Sequence, residues 1–137
     1  MDPKIWGPHA WFFMHSVTLG YPDKPTYQDK IWMKQFFESV GHVLPCMKCR
    51  NNYREHINKL PLDNSVLLSR ENLVKWLIDI HNEVNIKNSK PVVTHESAIE
   101  NFINDNKQGQ NPWICIIIVI IIIILIMVPL LIKYISK

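Results

Sequence analysis

The segment Leu44–Cys49 reads Leu-Pro-Cys-Met-Lys-Cys and places Cys46 and Cys49 three positions apart at the predicted start of a helix. Pro45 has a backbone φ already near the helical value, which suits the first turn of a helix. Unpaired N–H groups give a helix start partial positive charge, and this favours a thiolate over a thiol. Because the thiolate is the attacking species in disulfide exchange, the segment predicts a reversible disulfide or half of a metal site.

Three further interpretations of this cysteine pair stay open on the residues alone. A zinc site would need two more ligands, and His42 and His56 are near enough in the sequence to consider. A thioredoxin-like motif would need a βαβ context, which the pattern of this chain lacks. Two buried structural cysteines are the third interpretation. Cys115, in an apolar run, is expected only to pack there.

A long apolar run near the C-terminus predicts a membrane span. Residues 113–132 are almost entirely Ile, Leu, Val and Met, and about 20 helical residues match the ~30 Å hydrocarbon core of a bilayer. Trp113 at one edge and Lys133, Tyr134 and Lys137 at the other suit interfacial anchors. We therefore expect a single-pass tail anchor with a short tail over 133–137, a cytosolic domain, and a virion membrane among the candidate locations. The N-terminus lacks the apolar region of a signal peptide.

Composition narrows the classes of partner. The 137 residues leave room for one domain, and the formal net charge is +3. Basic residues are scattered rather than clustered, so no nucleic-acid partner is expected.

The rest of the chain has helical periodicity and no pattern typical of a strand. Helices are predicted over Pro8–Leu19, Tyr27–Gly41 and Pro45–Leu60, over a fourth segment from the N-cap Ser69 to Asn85, and over a short fifth segment capped by Thr94. The predicted fold class is all-α: a four-helix bundle with a short fifth helix over residues 1–105, a linker over 106–112 and the C-terminal transmembrane helix. A core this small is marginal alone, so a cofactor or dimerisation would help to stabilise it.

Two more groups of residues have the character of a binding site. Trp11 and His15 are four positions apart and share one helix face, although an aromatic core helix with a satisfied histidine also explains them. His81 and Asn85 lie one turn apart beside Val84. Polar groups flanked by apolar ones suit the edge of an adenine, ribose or flavin, while a solvated helix face is the alternative.

Taken in order, these segments resemble the ERV/ALR family of FAD-linked sulfhydryl oxidases. The family's Gly-x-x-x-Trp-x-x-x-His is similar to Gly7–His15, and its Tyr-Pro-Asp to Tyr21–Asp23. Its Cys-x-x-Cys after proline corresponds to Cys46–Cys49, and its Trp-Leu-x-x-x-His-Asn-x-Val-Asn to Trp76–Asn85, followed by Lys90-Pro91. The resemblance covers Trp6 to Phe102.

The resemblance implies a bundle that holds FAD beside the cysteine pair, usually as a homodimer, with no metal. Cys46 and Cys49 would be catalytic: a substrate thiolate attacks their disulfide, and electrons pass to FAD and then to oxygen, giving hydrogen peroxide. The substrates would be protein dithiols, a thioredoxin-like carrier among the candidates. The residues implied to bind the cofactor are Gly7, Trp11, His15, His81, Asn82, Val84, Asn85, Lys90 and Phe102.

The chain also departs from the family pattern. Ile78 and His95 stand where cellular members carry a structural disulfide between the fourth and fifth helices, and there is no shuttle cysteine pair. In both respects it resembles the compact oxidases of large DNA viruses. The rival hypothesis is a tail-anchored helical adaptor without enzymatic activity, in which Cys46 and Cys49 only pack.

Overall fold

The computed structural model describes residues 1–108 and 112–135, and every regular element among them is helical. The helices are α1 (Pro3–Leu19), α2 (Tyr27–Val43), α3 (Met47–Lys59), α4 (Arg70–Lys87), α5 (His95–Gln108) and α6 (Pro112–Ile135), with a 3₁₀ turn at Val66–Leu68 before α4. The chain forms two compact units, residues 1–102 and residues 103–137. The predicted all-α character and the order of the first five helices agree with this arrangement.

Side-chain caps decide where the helices begin. The Asp2 carboxylate accepts a hydrogen bond from the Lys4 N–H at 2.9 Å, so α1 begins at Pro3, earlier than the predicted Pro8. Thr26 forms a capping box at the start of α2, as its hydroxyl accepts from the Asp29 N–H while the Asp29 carboxylate accepts from the Thr26 N–H. The predicted N-cap Ser69 is confirmed, since its hydroxyl accepts from the Asn72 N–H at 3.2 Å.

The start of α3 differs from the prediction in an informative way. Cys46 has an extended backbone (φ −123°, ψ 119°) and is the N-cap of the helix, so Pro45 precedes α3 instead of lying in its first turn. The Cys46 Sγ accepts a hydrogen bond from the Cys49 N–H at 3.2 Å. A sulfur atom therefore occupies the place that a hydroxyl or carboxylate oxygen usually takes at a helix start.

The fifth helix is longer than predicted. Its cap is the predicted Thr94, whose hydroxyl accepts from the Ser97 N–H at 3.2 Å. Because α5 continues to Gln108, residues 106–108 of the predicted linker are helical. Residues 109–111 of that linker and residues 136–137 of the predicted tail lie outside the described residues.

The core of the first unit lies along α4. The helical spacing of Leu73, Leu77, Ile80 and Val84 predicts that these four residues form the buried face of α4. The first three are fully buried, which confirms those positions, whereas Val84 is half-buried. The ring of Phe37 from α2 meets Trp76 edge-on with 5.1 Å between centroids.

Two ion pairs show how α3 and α4 run past each other. Lys87 contacts Glu55 at 2.6 Å, and Glu83 contacts Lys59 at 2.7 Å, so the two helices are antiparallel. α4 ends at Lys87, opposite Glu55, and the part of α3 that precedes Glu55 therefore extends beyond the end of α4 by roughly two turns.

The transmembrane part of the predicted fold class needs a correction. Within the ranges that the structure describes, no helix combines the length and the apolar character needed to cross a membrane. The span predicted over 113–132 is overturned by this finding, and the fold class becomes an all-α arrangement of α1 to α6.

Replacing Leu77 by alanine tests the central role of α4. Leu77 is fully buried, whereas Leu68 is 57% exposed, so Leu77→Ala should lower the free energy of unfolding by about 2–5 kcal/mol and Leu68→Ala by less than about 0.5 kcal/mol. Urea denaturation of both variants measures the difference. Equal losses would contradict a core centred on α4.

Candidate active site

The cysteine pair is bonded at the start of α3. Cys46 and Cys49 form a disulfide with their Cα atoms 5.1 Å apart, and both residues are half-buried. The Arg50 guanidinium donates from Nε to the Leu44 carbonyl at 2.6 Å, which ties the segment before the disulfide to the turn after it. Among the described residues, no group of three side chains is arranged to hold a metal ion, so the zinc interpretation finds no further ligands there.

A cluster of flat rings joins α1 to α4. Trp11 stacks on His81 with 3.9 Å between ring centroids and an angle of 4° between planes. The Nε2 atom of His15 lies 3.2 Å from Nδ1 of His81, so one imidazole donates a hydrogen bond to the other. The fold therefore brings His81 to the predicted residues Trp11 and His15, from which it is far apart in the sequence.

Burial keeps both imidazoles of this cluster neutral. It lowers the pKa of His15 to about 4. Burial, helped by the charges of His15 and Lys90, also lowers the pKa of His81 to about 4. Two neutral rings can share a hydrogen bond, whereas two protonated rings at 3.2 Å would both be donors and would repel.

The first half of α5 closes one side of the ring cluster. Phe102 stacks on Phe12 with 5.0 Å between centroids and lies 6.2 Å from His15. Phe12 is 45% exposed and was not predicted as a site residue, because nothing in a run of aromatic residues marks which one will meet a ring from a distant helix.

Polar contacts hold the start of α5 against α4. The Asn82 side chain donates to the Val93 carbonyl at 2.9 Å and accepts from the Val93 N–H at 3.0 Å. His95 Nε2 lies 2.8 Å from the Asp79 carboxylate. Both the nitrogen and the oxygen of the Asn82 side-chain amide are thus hydrogen-bonded to the backbone of Val93. The contact between Asp79 and His95 is a second link, which sequence reasoning missed.

The remaining predicted residues surround the end of α4. The Lys90 N–H donates to the Asn85 carbonyl at 2.8 Å, which folds the chain back after the helix, and Val84 and Asn85 are half-buried. A Cβ at Gly7 would meet nothing within 4 Å, so this glycine leaves open space. Beside it, the indole Nε1 of Trp6 is buried without a hydrogen-bond partner in the described part of the chain.

The disulfide, Gly7 and Lys90 lie at one end of the bundle. The Arg70 guanidinium at the start of α4 donates to the carbonyl of Tyr21 after α1, while His81 near the end of α4 contacts Trp11; α1 and α4 are thus antiparallel. The start of α1, the end of α4 and the start of α3 therefore lie at the same end, which carries the disulfide, Gly7 and Lys90, while the ring cluster lies nearer the middle of α1 and α4.

One known protein family and several of its members are similar to this chain. The model of the Erv1 / Alr family matches residues 8–106. A relative from Acanthamoeba polyphaga mimivirus, "Probable FAD-linked sulfhydryl oxidase R368", is 55% identical over 100 residues, which are 73% of this chain and 70% of the relative. The mitochondrial FAD-linked sulfhydryl oxidase ERV1 of Saccharomyces cerevisiae is 38% identical over 90 residues, 66% of this chain and 46% of the yeast protein.

Solved structures of members of this family are also similar to this chain. The crystal structure of the FAD binding domain of Erv1 from Saccharomyces cerevisiae is similar with a TM-score of 0.64 and 35% identity, over 70% of this chain and 89% of that one. The family model extends over most of the chain and over all of α2, α3, α4 and the ring cluster. This chain belongs to the Erv1/Alr family.

Proposed function

We propose that the protein is an FAD-linked sulfhydryl oxidase that forms disulfides in protein substrates with oxygen as the final electron acceptor. The observation that carries the proposal is a disulfide-bonded Cys-x-x-Cys in a helical bundle that also holds the stacked, neutral ring cluster. The names of the mimivirus and yeast relatives support the same activity. A helical adaptor would need neither feature.

The ring cluster and the residues between it and the end of α4 fit FAD. Parallel stacking of Trp11 on His81 suits a flat heteroaromatic ring system, and neutral imidazoles can offer a donor or an acceptor to adenine or flavin nitrogens. Gly7 leaves space for close approach, and the unbonded Nε1 of Trp6 offers a buried donor. Lys90, whose charge acts on His81, supplies a cation for the two phosphates.

The residues that would hold the cofactor are therefore those around the ring cluster, namely Gly7, Trp11, His15, His81, Val84, Asn85, Lys90 and Phe102. Asn82 would act indirectly, by fixing Val93 and with it the start of α5. When bound, FAD supplies the oxidant that takes two electrons from the dithiol and restores the disulfide. Oxygen then accepts these electrons and is reduced to hydrogen peroxide.

The cysteines perform the exchange with substrate. A substrate thiolate attacks one sulfur of the Cys46–Cys49 disulfide, so one S–S bond forms to the substrate and the other cysteine leaves as a thiolate. A second substrate thiolate then attacks the mixed disulfide and releases an oxidised substrate and a dithiol. The Cys49 N–H already points at Cys46 Sγ and would stabilise negative charge on that sulfur.

Single serine substitutions test this chemistry. Cys46→Ser and Cys49→Ser should each abolish oxygen consumption with a reduced dithiol, because a two-electron exchange needs both sulfurs, while the yellow flavin absorbance is retained. Cys115→Ser, which removes the third cysteine of the chain, is the matched control and should behave as wild type. A colourless wild-type protein, or normal turnover in either serine variant, would contradict the proposal.

The neutral histidine pair predicts a dependence on pH. The pKa values of His15 and His81 are lowered to about 4 in the folded protein, against about 6.5 in the unfolded chain. The unfolded state therefore binds more protons between these values, so stability is full above pH 6.5 and falls as the pH decreases, by up to about 1.4 kcal/mol per pH unit for each histidine.

Thermal melts between about pH 7.5 and pH 5 measure this effect in a range where carboxylates stay largely ionised. His81→Phe keeps a ring on Trp11 but removes one titrating group, so its melting temperature should change less with pH than that of wild type. His9→Phe at an exposed site is the control. His56, whose pKa burial also lowers, is common to all three proteins and cancels. Parallel profiles would contradict the neutral pair.

A homodimer is the finer part of the proposal, supported by an apolar face shared by α1 and α2. Phe13 and Trp32 are 58% and 62% exposed, and Phe13 meets Phe36 edge-on at 6.0 Å. Beside them lies a cleft of about 250 Å³ lined by residues of both helices. A second copy of this chain would cover the exposed aromatic rings, which a monomer rarely leaves in contact with water.

A substitution that introduces a charge on this face tests the homodimer. Trp32→Glu should shift the protein from dimer to monomer, because a buried carboxylate would face its own copy across the symmetry axis. Tyr27→Glu, at the exposed start of the same helix and outside the cleft lining, is the matched control. Light scattering after gel filtration measures the mass. A wild-type monomer would refute this part of the proposal alone.

A further inference from the structure

We propose that the surface around the disulfide selects protein dithiols whose cysteines are flanked by acidic side chains. This surface, the disulfide rim, consists of Val43, Met47, Lys48, Arg50 and Arg54. The inference rests on the proposed function and names the class of substrate that the oxidase would prefer.

All the charged side chains of the disulfide rim are positive. Between Gly41 and Arg54 the sequence contains the cations Lys48, Arg50 and Arg54 and no carboxylate. The carboxylates on either side in the sequence are already occupied: Glu38 pairs with Lys34 at 3.9 Å, and Glu55 pairs with Lys87 at 2.6 Å. Each of these two carboxylates therefore has a lysine partner outside the rim.

The contacts of these cations leave their charges uncompensated. Arg50 donates to the Leu44 carbonyl, and Arg54 donates from Nη2 to the amide oxygen of Asn51 at 2.7 Å; both acceptors are neutral. Lys48 is exposed and has no ion pair among the residues that the structure describes. The stem of Arg54 crosses Gly41, where a Cβ would come within 2.8 Å of Arg54 Cγ, so its position depends on this glycine.

Apolar side chains complete the rim. Val43 is 72% exposed and Met47 is 64% exposed, on either side of Cys46 in the sequence, whereas the two cysteines are half-buried. A partner that reaches the sulfurs must therefore cover apolar groups set among unneutralised cations. Acidic residues beside the attacking thiolate meet this surface with opposite charge, and basic ones would be repelled.

Three reduced peptides test the preference. They share one Cys-x-x-Cys centre and carry glutamate, glutamine or lysine at the flanking positions; dithiothreitol is the uncharged reference. With the full chain in its flavin-bound form, kcat/KM for the glutamate peptide should exceed that for the lysine peptide about tenfold or more at about 20 mM ionic strength. The ratio should fall towards one at about 0.5 M salt, because exposed charges are then screened.

Charge reversal assigns the effect to the rim. In the double variant Lys48→Glu, Arg54→Glu the preference should invert in favour of the lysine peptide. Arg50 is left unchanged because it holds the Leu44 carbonyl. Lys24→Glu, in the exposed loop between α1 and α2, changes the net charge equally per substitution and should keep the wild-type ratio. A wild-type ratio near one at low salt, or an equal shift in Lys24→Glu, would overturn the inference.

A second measurement separates this inference from the oxidase proposal. If dithiothreitol is not oxidised by oxygen, the proposed function fails. The preference is still measured by mixing the oxidised chain with each peptide without oxygen and following peptide disulfide by mass spectrometry, since this exchange needs only the Cys46–Cys49 disulfide. Equal exchange with all three peptides would overturn the preference in that case too.

Discussion

The buried face of α4 is the constraint on which the first unit depends. Leu73, Leu77 and Ile80 are fully buried there, and α1, α3 and the 3₁₀ turn all pack against this helix. Trp76 adds a polar tie, because its indole N–H donates to the Leu60 carbonyl after α3 at 2.9 Å. Burial of three aliphatic side chains contributes on the order of several kcal/mol, comparable to the whole stability of a small domain.

The direction of α4 also decides where chemistry can occur. Since α1 and α3 both run antiparallel to it, the end of α4 lies at the same end of the bundle as the starts of two helices, one with Gly7 and one with the cysteines. α3 continues beyond α4 there, so its first turns, with the disulfide, have no α4 residue opposite them. The core of the first unit is thus packed along α4, and the disulfide lies beyond the end of that helix.

The attachment of α5 shows how this chain manages without a covalent link between its fourth and fifth helices. Ile78, on the α4 side, is buried and adds to the core. Its neighbour Asp79 instead contacts His95, while Asn82 binds both backbone groups of Val93. Such partly exposed polar links contribute about 1 kcal/mol each, and the stacking of Phe102 on Phe12 adds an aromatic contact that holds α5.

The sequence by itself determined the helices of the bundle and the identity of the cysteine motif. Caps such as Ser69 and Thr94 and the periodic face of α4 act over a few residues, and these positions were predicted. Helix ends were missed where a local contact extended or shortened them, as at Asp2 and Cys46. The apolar composition of 113–132 was not sufficient to establish a membrane span, since the described part of the chain has no helix that meets that requirement.

Only the tertiary structure decided which distant side chains meet. The contact between His15 and His81, the lowered pKa of both rings, and the link from Asp79 to His95 all arise from the antiparallel packing of helices, which no local pattern encodes. Asn82 looked like a ligand residue by its motif, yet the fold directs its amide to Val93. The kind of chemistry that a motif can perform is a property of its residues. The burial of each side chain and its contact partners are properties of the packed chain, and they decide whether the group is charged and which other groups it contacts.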